Sequence, residues 1–80
     1  MDYESLLLQS LAQVIRQKRS EQNYSQESFA DEVGVHRTYM GSIERGERNV
    51  TFRNLVRVAK GLGILTSALI EEAEIHLNKK

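Results

Sequence analysis

The chain contains no cysteine, no proline and no tryptophan among its 80 residues. Without cysteine there is neither a disulfide framework nor a thiol nucleophile, and without proline only glycine can interrupt a long helix. The longest apolar runs, such as Leu6–Leu8, are too short for a bilayer span or for the core of a signal peptide. The sequence therefore predicts a single cytoplasmic domain with a compact core.

The formal net charge is zero, but the charges are distributed unevenly. Residues 16–60 carry nine Lys and Arg against six acidic residues, whereas acidic residues outnumber basic ones in residues 1–15 and 61–80. A positive middle region is compatible with a polyanion that faces one surface. Three excess charges are too few to establish such a partner without a binding motif.

Apolar residues recur at helical spacing along the chain, and no segment alternates as a strand would. The first segment, about 4–20, places Leu8, Leu11, Ala12 and Ile15 on one face. Cap residues and glycines predict four further helices, which lie between Ser25 and Gly34, between His36 and Gly46, between Thr51 and Gly63, and from about Thr66 to Leu77. The expected fold is all-α, with five short helices in one domain that spans residues 1–80.

Residues 25–45 contain two of these helices, joined by a turn at Gly34 and Val35, and so form a helix-turn-helix unit. The second helix needs only Met40 and Ile43 for its buried face. Its start presents polar side chains at the place where a recognition helix meets base edges, namely His36, Arg37, Thr38 and Tyr39.

From about Leu11 to Ile70 the chain resembles the lambda-repressor-like helix-turn-helix domain, often called the XRE family. The residues that carry this resemblance are Arg19, Ser25, Gln26, Ala30, Gly34, Ile43–Gly46, Arg48, Asn49, Leu55, Ala59, Leu62 and Gly63. Three positions depart from the family pattern. His36 stands where Asp, Ser or Asn caps the recognition helix, Val50 stands where the loop has Pro, and Leu65 stands where Ser caps the fifth helix.

Three segments are similar to those of the restriction–modification controller proteins: Arg37-Thr38-Tyr39, Ile43-Glu44-Arg45 and Arg48-Asn49. The resemblance implies a small all-helical homodimer that binds palindromic or tandem half-sites in double-stranded operator DNA. Such a protein regulates its own gene and switches on the endonuclease gene, so RNA polymerase is a further implied partner. Neither a cofactor nor a membrane is implied.

Several polar residues of the recognition helix are expected to contact DNA. The planar fork of Arg37 fits O6 and N7 of a guanine, so Arg37 is predicted to read a base directly. Thr38 and Ser42 can donate to phosphate or touch a thymine methyl group. Tyr39 is also expected to face the DNA. Because it is one residue from Met40, which is expected to be buried, its side chain should point outward rather than into the core.

Outside the recognition helix, Gln26 resembles the family glutamine that binds phosphate and braces that helix. Arg48 and Asn49 belong to the polar loop after helix three and are expected to contact the DNA backbone. Arg45 is a further candidate for DNA contact, with pairing to Glu47 as the alternative.

Arg19 and Glu44 have a different implied role. They match family residues that form a partly buried ion pair between helix one and the recognition helix. The resemblance therefore implies that this pair fixes the angle at which the recognition helix is presented, and that removing one partner is costly.

Catalysis finds no support in the sequence. The two histidines, His36 and His76, belong to no H-E-x-x-H pattern, and there is no glycine-rich phosphate loop or nucleophile elbow. Glu72 and His76 share a helix face, which is more simply a solvated surface than a metal site. The chain is predicted not to be an enzyme and to hold no metal or cofactor.

The start of the fifth helix carries more apolar side chains than one short helix usually buries. A module of this size reads few base pairs, and a two-fold dimer doubles the site that is read. Leu69 is assigned to the monomer core. The predicted dimer interface consists of Ile64, Leu65, Ala68, Ile70 and Ala73, with completion of the monomer core as the alternative.

The leading prediction is thus a sequence-specific DNA-binding transcription regulator of the controller type. One alternative is a phage-type or antitoxin-type repressor with the same fold, which the neighbouring genes would distinguish. Another is a protein-interaction module that has kept the fold without binding DNA. The polar first turn of the recognition helix and the positive middle region favour DNA binding.

Overall fold

The computed structural model describes residues 2–47 and 49–79. These residues form five α-helices and no strand, which confirms the predicted all-α fold. In chain order the helices are α1 (Tyr3–Glu21), α2 (Gln26–Val33), α3 (Arg37–Glu44), α4 (Phe52–Leu62) and α5 (Thr66–Asn78). Within the described ranges none of the helices combines the length and the hydropathy that crossing a bilayer requires.

Four of the five helices begin with a side chain that accepts a hydrogen bond from an amide of the first turn; these caps are Asp2, Ser25, His36 and Thr51. The predicted cap of the recognition helix is confirmed, since Nδ1 of His36 accepts from the Thr38 amide at 3.1 Å. Leu65 makes no side-chain cap, yet α5 still begins at Thr66. Packing of the apolar face of α5 stabilises its start without a polar cap.

Helices α2 and α4 are each followed by a glycine, at which the chain turns sharply away from the helix axis. Gly34 and Gly63 have φ values of 76° and 77°, the left-handed conformation that glycine adopts without steric cost. At Gly34 this termination keeps the turn short, so α3 begins three residues later and packs against α2.

The core lies where all five helices meet. Its largest fully buried apolar side chains come from every helix and are Ile15, Phe29, Met40, Ile43, Val58 and Leu69. The rings of Tyr24 and Phe29 meet edge to face with centroids 5.4 Å apart, an apolar contact that spans the start of α2. Val33 and Leu55 are half-buried at the edge of this core.

Helices α1 and α5 pack against one another, and α1 also packs against α3 of the helix-turn-helix unit. The buried Ser10 hydroxyl of α1 donates to the Ala73 carbonyl of α5 at 2.6 Å. At the start of α1, the Tyr3 hydroxyl donates to Glu74 at 2.8 Å, and this bond raises the pKa of Tyr3. These contacts join the first and last helices into one scaffold.

Candidate nucleic-acid interface

The recognition helix is attached to α1 and α2 through one buried carboxylate. Glu44, at the end of α3, has 1% of its side chain exposed. It accepts from Arg19 at two points, from Nε at 2.7 Å and from Nη2 at 3.0 Å, and from Gln26 Nε2 at 3.1 Å. We call these three residues the Glu44 brace. The ion pair implied by the resemblance is present, and Gln26 joins it.

Two further hydrogen bonds from α1 lie beside the Glu44 brace. Arg19 uses Nη1 to donate to the Tyr24 carbonyl at 2.7 Å, just before α2, and Arg16 donates to the Glu44 carbonyl. Among the described residues, no buried side-chain nitrogen or oxygen lacks a partner. A buried ion pair that is fully hydrogen-bonded fixes geometry even where its net contribution to stability is small. The brace therefore links the end of α3 to α1 and to the start of α2.

Arg37 lies at the exposed start of α3, but its guanidinium faces α2. It donates from Nη2 and Nε to the two oxygens of Asp31, at 2.8 and 3.3 Å, and from Nη1 to Glu27 at 3.5 Å. The Arg37 guanidinium holds the pKa of Asp31 below its ordinary value, and Asp31 in turn raises the pKa of Arg37. The side chain is 56% exposed and so remains accessible from solvent.

Tyr39 differs from the expectation that it points outward. Its ring is half-buried against the core, and its hydroxyl donates to the Asn49 carbonyl at 3.0 Å and accepts from the Thr51 amide at 3.3 Å. The side chain has a partly apolar environment with a polar tip, as is usual for tyrosine at such positions. Its observed role is to attach the loop after α3 to the recognition helix.

Ser42 and Thr38 lie one turn apart on α3 and differ in exposure. Ser42 is 5% exposed, and its hydroxyl donates to the Thr38 carbonyl at 3.2 Å. The expected DNA contact from Ser42 is thus corrected to a buried hydroxyl satisfied within the helix. Thr38 is exposed, and its side chain is available at the first turn.

The remaining predicted DNA-contacting residues surround the end of α3. Arg45 pairs through Nε with Glu47 at 3.0 Å, the alternative considered from the sequence, and both side chains are more than half exposed. Asn49 is exposed. The predicted contact from Arg48 lies outside the described residues. Gly41 allows the side chains of Arg45 and Gln26 to approach α3, since a Cβ there would lie 3.1 Å from Arg45 Nη1 and 3.3 Å from Gln26 Oε1.

The residues predicted for the dimer interface divide into three groups. Leu65 is 74% exposed, whereas Ile64, Ala68 and Ile70 are half-buried. Ala73 is fully buried because its backbone faces Ser10 of α1, so its assignment to an interface is wrong and it belongs to the monomer core.

The interface predicted from the sequence did not include two exposed apolar residues of α4. Phe52 is 76% exposed and Val56 is 37% exposed. Their spacing of four residues, off the buried stripe of α4, was the available signal. Phe52 lines a groove between α4 and α5 together with Leu55 and Ile70. We call Phe52, Val56, Ile64, Leu65, Ala68 and Ile70 the α4–α5 surface.

The histidine on α5 has an ordinary structural environment. His76 Nε2 lies 2.6 Å from Gln13 Oε1, and Glu72 pairs with Lys18 at 3.0 Å. Across residues 2–47 and 49–79, no three His, Cys, Asp or Glu side chains cluster in a way that could hold a metal ion.

The short turn between α2 and α3, with the polar start of α3 exposed, defines the chain as a helix-turn-helix protein. Consistently, residues 15–69 match a family model described as helix-turn-helix. The chain is 47% identical over 60 residues to control protein C.SmaI of Serratia marcescens, covering 75% of this chain and 71% of that protein. It is 45% identical over 60 residues to control protein C.BamHI of Bacillus amyloliquefaciens, covering 74% of each.

Solved structures that are similar to this chain also include restriction–modification controller proteins. The wild-type restriction–modification controller protein C.Esp1396I aligns over 100% of both chains with a TM-score of 0.83 and 30% identity. The C.Esp1396I tetramer in complex with its natural 35 base-pair operator aligns over 98% of this chain and 99% of that chain, with a TM-score of 0.81 and 29% identity. The chain belongs to the restriction–modification controller family, whose members are helix-turn-helix transcription regulators and not enzymes.

Proposed function

We propose that this protein binds its own operator DNA as a homodimer, with α3 in the major groove, to autoregulate and to time expression of an endonuclease gene. The observation that carries the proposal is the Glu44 brace, which holds α3 at a fixed angle with its first turn exposed. A recognition helix must be presented rigidly for its side chains to meet base edges. The controller protein C.Esp1396I, whose structure as a tetramer in complex with its natural 35 base-pair operator is similar to this chain, supports the same assignment.

The division of α3 into two faces supports this mode of binding. Met40 and Ile43 are buried in the core, while Arg37 and Thr38 lie exposed at the first turn. In the proposed complex Arg37 reads a guanine and Thr38 contacts phosphate or a thymine methyl group. Contacts to the DNA backbone come from Arg45, Arg48 and Asn49 after α3, as the sequence predicts.

Dimerisation is proposed through the α4–α5 surface. Phe52 and Leu65, at 76% and 74%, are the most exposed large apolar side chains among the described residues. Half-sites one helical turn apart lie about 34 Å from each other. The Cα trace measures 31 × 21 × 20 Å, so two adjoining copies have the right dimensions to place their α3 helices in successive grooves.

DNA binding is tested by fluorescence anisotropy with two labelled duplexes of equal length. One is recovered from a randomised pool by selection with the wild-type protein, and the other is its scrambled counterpart. We expect the selected duplexes to contain two-fold-related half-sites and to bind at least about 1000-fold more tightly than the scrambled duplex. Failure to select any sequence, or equal affinity for both duplexes, would overturn the proposal.

The dimer is tested by sedimentation equilibrium of the wild type and of Phe52→Asp and Leu65→Asp. The matched control is Ile75→Asp, because Ile75 is also exposed but lines a different groove beside Val14 and Gln17 of α1. We expect Phe52→Asp and Leu65→Asp to be folded monomers and the control to dimerise like the wild type. A wild type that stays monomeric at tens of micromolar, roughly the range of a weak reversible dimer, would contradict the dimer.

Regulation of the endonuclease gene also requires RNA polymerase, which we propose as a functional partner in the cytoplasm. Transcription in vitro from a template that carries the protein's own promoter and the endonuclease promoter tests this directly. We expect endonuclease transcript to rise, and the protein's own transcript to fall, as dimer is added. An unchanged transcript ratio with a fully occupied operator would refute the regulatory role and leave DNA binding intact.

A further inference from the structure

Arg37 is enclosed by carboxylates of the neighbouring helix. Glu27 and Asp31 are four residues apart on α2 and therefore lie on one face. All three guanidinium nitrogens of Arg37 face them: Nε and Nη2 face Asp31, and Nη1 faces Glu27. The residue expected to read a base thus already has an acceptor for each nitrogen in the free protein.

A DNA contact through the Nε–Nη2 edge of Arg37 must displace Asp31. The pair is readily displaced, because both side chains are more than half exposed, with Arg37 at 56% and Asp31 at 59%. Ion pairs of this kind contribute little net free energy in water. Asp31, whose pKa the Arg37 guanidinium lowers, is a charged carboxylate at neutral pH and can therefore compete with DNA for Arg37.

Operator and non-operator DNA offer Arg37 different replacements for Asp31. A guanine presents O6 and N7 together, a bidentate acceptor that matches the fork of the guanidinium. Non-operator DNA presents phosphates, and the carboxylates of Asp31 and Glu27 repel phosphates that approach the same point. Exchange of Asp31 for a guanine of the operator is therefore more favourable than its exchange for a phosphate.

We propose that Asp31 is a specificity-determining residue that acts through Arg37: it withholds the guanidinium from phosphates of non-operator DNA and releases it to a guanine of the operator. This inference rests on the proposed function, in which Arg37 reads a base. Asp31 contacts no base in this scheme and is a positioning residue. It lowers the affinity for competing DNA and leaves the direct contacts with the operator unchanged.

The test is Asp31→Asn, with Glu32→Gln as the matched control, because Glu32 is an exposed acid on the same helix whose side chain is not among the described partners of Arg37. Both variants remove one negative charge from α2. Affinities for the selected operator duplex and the scrambled duplex are measured over a series of salt concentrations. Thermal unfolding of each variant serves as the structural control.

We expect Asp31→Asn to free Arg37 for one additional phosphate contact on scrambled DNA. The slope of log affinity against log salt should then steepen by about 0.9 on the scrambled duplex and stay unchanged on the operator. The ratio of operator to scrambled affinity should fall about fivefold, as the displacement of one weak surface pair allows. Asp31→Glu, which retains the carboxylate, and the control Glu32→Gln should both show the wild-type ratio of operator to scrambled affinity.

The double variant Asp31→Asn/Arg37→Ala determines whether Asp31 acts through Arg37. In that background the effect of Asp31→Asn must shrink to that of Glu32→Gln. The inference is overturned if Asp31→Asn matches Glu32→Gln in the wild-type background, or if its effect persists without Arg37. Loss of operator affinity in Asp31→Asn would also overturn it, since Asp31 would then support Arg37 at the base. If Arg37→Ala alone keeps full operator preference, the base-reading role in the proposed function fails instead.

Discussion

Arg19 and Glu44 join the first helix to the end of the recognition helix through two parallel contacts, Nε to Oε2 at 2.7 Å and Nη2 to Oε1 at 3.0 Å. The carboxylate is buried and the guanidinium is 14% exposed, so each charge is compensated mainly by the other and little by water. Removing one partner would leave an uncompensated charge in the interior, whereas replacing both together would not. This asymmetry makes the pair a sensitive test of how α3 is held.

Glu44→Ala is expected to lower the free energy of unfolding by about 3–5 kcal/mol, because Arg19 and Gln26 lose their shared acceptor. Glu47→Ala is the matched control, since Glu47 pairs with Arg45 at the surface, and should cost less than about 0.5 kcal/mol. Urea denaturation of the free protein measures both. An unchanged unfolding midpoint in Glu44→Ala together with loss of operator binding would make Glu44 a DNA-contacting residue.

Arg37→Ala and Arg48→Ala are expected to weaken DNA binding in different ways. Without Arg37, operator affinity should fall about five- to a hundredfold and the preference at one base pair of each half-site should relax. Arg48, predicted from the sequence to contact phosphate, should weaken operator and scrambled DNA alike and lower the salt slope by about 0.9. Binding to a panel of single-base operator variants separates the two effects. Equal loss of base preference in both variants would contradict this division.

Two glycines inside helices are expected to respond oppositely to alanine. A Cβ at Gly61 of α4 would overlap Val33 Cγ1 and lie 3.2 Å from Phe29 Cε1, so Gly61→Ala should destabilise the fold by about 1–3 kcal/mol. At Gly41 the nearest atoms are the ends of the long side chains of Arg45 and Gln26, which can shift by a few tenths of an ångström, and alanine improves helix propensity. Gly41→Ala should thus leave stability unchanged or raise it by up to about 1 kcal/mol. Thermal unfolding of both variants checks this, and a stable Gly61→Ala would show that α2 and α4 can separate without cost.

The pairing of Asp31 with Arg37 predicts a specific pH dependence. Because the hydrogen bonds from Arg37 lower the pKa of Asp31, the pair stabilises the fold above the ordinary Asp pKa, about 3.9, and this contribution disappears as the pH falls through the lowered value. In Arg37→Ala the pKa of Asp31 should rise towards its ordinary value. Carboxyl NMR titration measures it, with Asp2 as internal control.

Asp2 is a suitable reference because its pKa is lowered by the Ser5 amide, a contact within the first turn of α1 that Arg37 does not touch. The pKa of Asp2 should be the same in both proteins. An unshifted Asp31 in Arg37→Ala would mean that the pair does not form in solution, and the mechanism inferred for Asp31 would fail with it.

Local sequence signals were sufficient to predict the five helices. Ser25 and Thr51 cap because their hydroxyls reach amides of the next turn, and Gly34 and Gly63 end helices because they adopt positive φ at little cost. These preferences act within one turn of chain. Periodic apolar residues then determine which face of each helix is buried, as at Met40 and Ile43.

The roles of individual polar side chains depended on contacts between helices. Neighbouring positions in α3 gave no indication that the Tyr39 hydroxyl would bond to the loop at Asn49 and Thr51. Nor did spacing indicate that Ser42 would be buried, or that Arg37 would lie against Asp31 of another helix. The partners of Arg37 and Tyr39 lie six to twelve residues away in the chain, and Ser42 bonds within its own helix. The environment of these side chains therefore follows from the packing of α2, α3 and α4.

The sequence by itself predicted the family and the order of the helices, because both follow from residue types at fixed local spacing. The pairing of Arg19 with Glu44 was implied only by the family resemblance. Only the tertiary structure decided that Ala73 lies in the core and that Phe52 lies exposed on α4. The physical reason is that helical periodicity identifies an apolar face but does not state what covers it. Whether α1 or solvent lies against a given residue is set by how the helices cross.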